Sequence, residues 1–207
     1  MENAAEKKKD RKSAKVYFAE FLSFVLVMIV VLKAVDVVRL ICVDESEYEI
    51  KYEKLEDYPQ AGQVYNLYIK GENKTQVDRN EYALLDKNGN TDYKYCHIMR
   101  VTNKFLYTAL ICAMLYLVIK IYMISCSGNP FTAGNIKLVR AICKLQIAVA
   151  FVPEIVRKTM SLIKFNYIYS VMEMERIYMI GIAIIICGIG YIFEKGLALK
   201  EDMDTIA

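Results

Sequence analysis

Chemistry needs particular side chains at particular spacings, and this chain of 207 residues offers few of them. The clearest set is Asn129-Pro130-Phe131-Thr132 followed by Asn135, Lys137 and Arg140, with Gly196, Glu201, Asp202 and Asp204 close to the other end of the same half. On a helix turning about 100° per residue, Lys137, Arg140 and Lys144 fall within about 60° of arc. A basic stripe of that kind suits anionic lipid headgroups or an acidic protein segment. The Glu201, Asp202 and Asp204 carboxylates supply an acidic segment within the chain itself. We read the two groups together as a docking surface, with Lys137 and Arg140 facing Glu201, Asp202 or Asp204. The plainer alternative is a loop break followed by a solvated tail. Exposed ion pairs contribute only about 0–1 kcal/mol each, so such a surface would serve recognition more than stability.

Other charged groups stand beside apolar sequence. Lys33, Asp36 and Arg39 are spaced by three, which puts them along one side of a helix as a charge ladder. We read it as the point where a helix leaves the membrane, with Lys33 snorkelling; an intramembrane ion or proton site is the alternative. Glu154 has Arg157 and Lys158 three and four residues on, so it is read as paired, with a transport path the alternative. Gln146 and Pro153 lie in the same run.

The reactive residues form no recognisable set. Among the six cysteines none stand at metal-ligand spacing. Cys112, Cys143 and Cys187 fall inside apolar runs, where cysteine acts as a small hydrophobe. Only Cys42 and Cys96 fall where an oxidising face would let them pair. The single histidine, His97, is read as a surface residue. Neither a Ser/His set, a paired-Asp set, an H-E-x-x-H sequence, a phosphate loop nor a dinucleotide fingerprint occurs, so no enzyme, cofactor or metal is expected. A formal net charge of +3 is too small to argue for direct binding of nucleic acid.

Four apolar runs must position whatever these residues do: Val16–Leu32, Phe105–Ile124, Ile142–Ile163 and Ile177–Phe193. A bilayer core of about 30 Å needs about 20 mostly apolar residues to cross as a helix, and lipid leaves backbone groups no partner outside a helix or closed barrel. Six basic residues, Lys7, Lys8, Lys9, Arg11, Lys12 and Lys15, precede the first run. The positive-inside rule puts that segment in the cytoplasm. The expected fold is therefore an all-α polytopic membrane protein with four spans and both termini cytoplasmic. Its segments are a basic tail over 1–15, spans over 16–43, 105–126, 137–163 and 177–195, an extracytoplasmic module over 44–104, a cytoplasmic loop over 127–136, an outer loop over 164–176 and an acidic cytoplasmic tail over 196–207. In the last span Gly181 and Gly188 stand seven apart, a spacing that lets a neighbouring helix approach closely. Thr132 or Asn135 suits the cap of the helix after the inner loop.

Residues 44–104 hold twelve acidic and nine Lys or Arg residues and no long apolar run. Two stretches alternate at period two, Val64–Lys70 and Asp92–Ile98, and predict strands. Asn88-Gly89 between them predicts a hairpin turn, and Gly71-Glu72-Asn73 a second turn. The alternating tyrosines are read as the core of this small antiparallel β module, with a ligand-binding face the alternative.

Asn129-Pro130-Phe131-Thr132 with Asn135, Lys137 and Arg140 resembles the inner-loop element of a bacterial membrane family, domain of unknown function 2975. The closing segment, from Ile192-Phe193-Glu194-Lys195-Gly196 to Asp202-Met203-Asp204, resembles that family's end. The resemblance covers about the last half of the chain, and it leaves the tyrosine-rich module unmatched. It implies a plasma-membrane protein of four helices whose partner is a small cytoplasmic helix-turn-helix regulator. The partners expected are thus the lipid bilayer and a cytoplasmic regulator protein or a second copy of the chain. The function expected is non-enzymatic sensing or signalling; a small transporter or immunity-type membrane protein is the alternative.

Overall fold

A computed structural model describes residues 2–53, 64–82, 84–126, 132–166 and 174–206. The chain runs α1 (Glu2–Cys42), a 3-10 turn (Glu45–Glu47), β1 (Tyr48–Glu53), β2 (Val64–Ile69), β3 (Glu72–Val77), α2 (Arg79–Tyr82), α3 (Tyr93–Cys126), α4 (Ala133–Phe165) and α5 (Met174–Ile206). Three helical segments are long and apolar enough to cross a membrane, Ala14–Cys42, Tyr93–Cys126 and Tyr178–Leu199. The fourth long helix, α4, has 33 residues but carries Arg140, Lys144, Glu154, Arg157 and Lys158 and stands outside that set. The acidic end of the chain, expected as a tail from 196, continues α5 as helix to Ile206.

The chain divides into two compact units. Unit 1 comprises residues 1–32, 106–152 and 172–207; unit 2 comprises 33–105 and 153–171.

In unit 1 the helices wear their apolar side chains outside. Phe18, Phe24, Ile184 and Ile192 are each more than 60% exposed, and the buried cluster is small: Ala19 and Leu26 of α1 against Cys112 and Ile119 of α3. Burial in water would drive such residues together; hydrocarbon removes that drive, which is why exposed apolar faces belong to membrane helices. Between α4 and α5 the close approach falls at Gly190, where an added Cβ would stand 3.2 Å from Val139 Cγ1, and not at Gly181 or Gly188, which meet nothing within 4 Å. Cys143 and Cys187 also join these helices, as a disulfide with Cα atoms 5.7 Å apart, and so are not the separate small hydrophobes expected. Their placement is tertiary: on antiparallel helices, sequence spacing does not reveal who meets whom.

Unit 2 has an ordinary core. Its sheet is antiparallel in the order β1-β2-β3, with Tyr48 opposite Ile69 and Ile69 opposite Glu72. Tyr65, Leu67 and Ile69 alternate onto one face, and Leu67 is fully buried there with Tyr48, Val77, Tyr82, Cys96 and Phe165. Of the alternating tyrosines, Tyr65, Tyr93 and Tyr95 are partly buried against this core, while the buried Tyr48 and Tyr82 come from outside the two stretches. The tight turn is Lys70-Gly71, both at positive φ (54° and 75°). That is the left-handed pair a two-residue hairpin demands, and it matches the strand twist. Asn88-Gly89 also turns, with Gly89 at φ 81°, but closes only a single bridge between Leu85 and Thr91. Asp86 Oδ1 accepts the Asn88 and Asn90 N–H groups at 2.8 and 2.9 Å, so this is a capped loop and not a hairpin between strands.

Asp92–Ile98, expected as a strand, begins α3 instead. Asp92 caps the helix: its Oδ1 accepts the Tyr95 N–H at 2.8 Å and its carbonyl accepts the Cys96 N–H at 3.1 Å. The residues buried here, Asp92, Cys96 and Met99, recur at helical and not strand spacing. The same rotation buries His97, which was expected at the surface. It also keeps Cys96 in the core while Cys42 is exposed, so these two remain free thiols.

Candidate functional site

The expected docking surface is assembled only in part. Asn129, Pro130 and Phe131 lie outside the described residues. Thr132 caps α4, its Oγ1 accepting the Asn135 N–H at 3.2 Å. Asn135 is fully buried, its amide reaching Ser125 Oγ at 3.3 Å. This polar residue closes the helix start from a buried position. Lys137 and Arg140 are exposed. Arg140 pairs with Glu194, Nε to Oε1 at 2.6 Å.

Register explains the choice. Val139 meets Gly190, Cys143 meets Cys187 and Gln146 donates to the Met179 carbonyl, so α4 and α5 run antiparallel. At about 1.5 Å of rise per residue, Asp202 lies about 12 Å past Glu194 along α5. That carries Glu201, Asp202 and Asp204 beyond the first turn of α4. Asp202 is exposed, Gly196 is half-buried, and the side chains of Glu201 and Asp204 lie outside the described set.

A second polar site, which the sequence reading did not anticipate, lies wholly within unit 2. A cavity of about 50 Å³ is lined by Glu81 on α2, by Cys96, Met99, Arg100 and Asn103 on α3, and by Arg157 and Ser161 on α4. Three helices bring these residues together across 80 positions of sequence. The longer helices contribute by ordinary spacing: Cys96, Arg100 and Asn103 are four and three apart, and Arg157 and Ser161 four apart.

The charges around the cavity divide into a close pair and a looser one. Glu154 holds Arg157 at 2.8 Å and Lys158 at 3.6 Å, with the Glu154 and Arg157 side chains 7% and 13% exposed. Arg100 Nε stands 3.5 Å from Glu81 Oε2, longer than a normal N–H···O bond. Glu81 Oε2, Arg100 Nη1 and Asn103 Oδ1 are buried with no hydrogen-bond partner among the described residues. A buried polar atom left unpaired costs about 1–3 kcal/mol.

Next to the cavity, Tyr82 and His97 share a hydrogen bond, Oη to Nδ1 at 2.8 Å. Burial pushes the Tyr82 phenol up to about 12, so its hydroxyl keeps its proton at neutral pH. The far end of α4 is tied to the start of α3. Tyr95 donates to the Met160 carbonyl at 3.0 Å and Lys164 pairs with Asp92 at 2.7 Å. The hydrogen bond to Asp92 holds the Lys164 ammonium above its usual range.

Among the described residues no group of three or more His, Cys, Asp or Glu side chains is placed to hold a metal ion. No protein-family model, curated protein or solved structure matches this chain.

Proposed function

We propose that this chain is a four-span protein of a bacterial plasma membrane, with both termini in the cytoplasm, that reports the state of its extracytoplasmic unit to a cytoplasmic regulator. Membrane residence is supported by the three long apolar helices and their outward apolar side chains. A fourth span draws support from the length of α4, 33 residues. At about 1.5 Å each they reach about 50 Å, more than a core of about 30 Å requires. The charges on α4 are also partnered toward both ends, Arg140 with Glu194 and Glu154 with Arg157 and Lys158. Between them only Lys144 is ionisable, Cys143 being held in the disulfide. The basic residues before the first apolar run support the sidedness. The regulator as partner rests on the resemblance of the inner-loop and closing segments to the 2975 family.

The observation that carries a sensing role is unit 2 itself. A connecting loop does not need a three-stranded sheet, a core around Leu67 and a polar cavity walled by two arginines. Leaving buried polar atoms of Arg100, Glu81 and Asn103 without a hydrogen-bond partner among the described residues costs stability, and ligand recognition gives that cost a purpose. Transport has less support, because Gln146 is engaged with the Met179 carbonyl and Glu154 with two cations.

The test is transcriptional. Deleting the gene in its own cell should change a small set of transcripts, and restoring the chain as Arg140→Glu should reproduce the deletion at unchanged membrane abundance. An unaltered transcript profile in the deletion strain contradicts the reading.

A further inference from the structure

We infer that the cavity in unit 2 is a binding site for a small zwitterion, an α-amino acid of glycine or alanine size. This deepens the sensing reading above and rests on it for its biological meaning, though not for its chemistry.

The cavity presents charges of both signs without using them fully. Arg100 offers a donor and Glu81 and Asn103 offer acceptors, each with a buried atom that lacks a hydrogen-bond partner among the described residues. Arg157, the second cation in the wall, is already held by Glu154. A simple anion would answer Arg100 but stand against the Glu81 carboxylate. A simple amine would answer Glu81 and Asn103 but stand against the Arg100 guanidinium. A molecule with a carboxylate at one end and an ammonium at the other answers both and brings no net charge into a partly buried place. Size agrees: about 50 Å³ holds about four water-sized groups at 10–15 Å³ each. Leu84, Cys96 and Met99 supply an apolar wall for a hydrogen or methyl on the α-carbon.

Water could satisfy the same atoms, and calorimetry distinguishes the two. The full chain, purified in detergent micelles, is titrated with glycine, L-alanine, acetate and methylamine. Saturable binding of glycine or alanine is expected, with acetate and methylamine each weaker by at least about tenfold, the loss of one charge-assisted contact. Arg100→Gln and Glu81→Gln should each weaken glycine by a similar factor, while Lys51→Ala, on the exposed face of β1, should leave it unchanged. No saturable glycine or alanine binding at about 10 mM, above the millimolar affinity that about 4 kcal/mol supplies, overturns the proposal and leaves water in the cavity. Acetate binding as tightly as glycine overturns it too, as does glycine binding unaffected by both cavity variants. Should either variant fail to fold, the comparison of glycine with acetate and methylamine on the unaltered chain still decides. Failure here leaves the transcript test untouched; binding without a transcript response refutes the sensing reading and leaves the site standing.

Discussion

Leu67 in unit 2 is wholly buried, whereas Ile184 in unit 1 is 68% exposed, although both are branched aliphatic residues in regular structure. Unit 2 folds as water demands: it alternates residues on strands, closes a tight turn and hides its apolar face. Unit 1 buries Leu26, Ile119, Val139, Ile142 and Val149 between its helices, yet shows many more of its apolar residues to the surroundings. The difference teaches that one chain has been written for two solvents, and that an exposed isoleucine is a fault in one and a fitness in the other.

The comparison can be broken by exchanging roles. Leu67→Ala should destabilise unit 2 by about 2–5 kcal/mol, the cost of a cavity in a packed core. Ile184→Ala should change the stability of unit 1 by less than about 0.5 kcal/mol, as surface substitutions do. Urea denaturation followed by amide exchange in each unit measures both. Equal effects at the two positions would erase the distinction. Next in size, Ile184→Asp should cost about 2.5–3.5 kcal/mol of membrane insertion, as a charge does at the centre of a span, read by extraction of the variant into alkaline carbonate. An unaltered extraction profile would remove α5 from the bilayer.

Smaller changes sharpen the picture. Tyr82→Phe strips the hydroxyl that meets His97 Nδ1 in the core of unit 2. It should cost about 1–3 kcal/mol, because the imidazole is left without that partner. Arg140→Gln breaks an exposed pair, the arginine side chain being 64% exposed, and should cost no more than about 1 kcal/mol. The smallest effect is local and depends on pH. The Asn90 and Asn88 N–H groups hold the Asp86 carboxyl below its ordinary range. The stability it lends the 86–90 loop is therefore complete above the usual carboxylate pKa and is lost as pH falls through the lowered value. Protection factors at Asn88 and Asn90, taken relative to the intrinsic exchange rate at each pH, should fall at acid pH in the native chain and be low at all pH in Asp86→Ala.

Some of this was legible from residues alone. Blocks such as Val16–Leu32 and Phe105–Ile124 announce membrane helices because their composition needs no knowledge of partners. Val64–Ile69 is a strand because its alternation has only one face to bury. Asp92–Ile98 alternates as well, yet Asp92 there is a helix cap, and a short segment read at period two hides the three- and four-residue spacing of Asp92, Cys96 and Met99. Tyr48, Ile50 and Tyr52 alternate in β1 with Glu49, Lys51 and Glu53, a signal that was present and passed over. Both turns were visible, but their ranking was reversed. Asn-Gly is the stronger dipeptide, whereas Lys70-Gly71 is the one flanked by strands of matched length. The cavity was not legible at all. Glu81, Arg100 and Arg157 are unremarkable in their own segments, and only packing brings them together. The partner of Arg140 was missed for a related reason: charge complementarity drew attention to the acidic end of α5, while packing of the helices brings Glu194 to it.

The central claim is that unit 2 faces water outside the cell while the chain ends inside it. A short epitope inserted in the exposed loop between Asn88 and Gly89 of the full chain should bind antibody on intact cells, and the same epitope after Ala207 should bind only once the membrane is opened. Binding at the C-terminal tag on intact cells, with the loop tag hidden, would contradict the account.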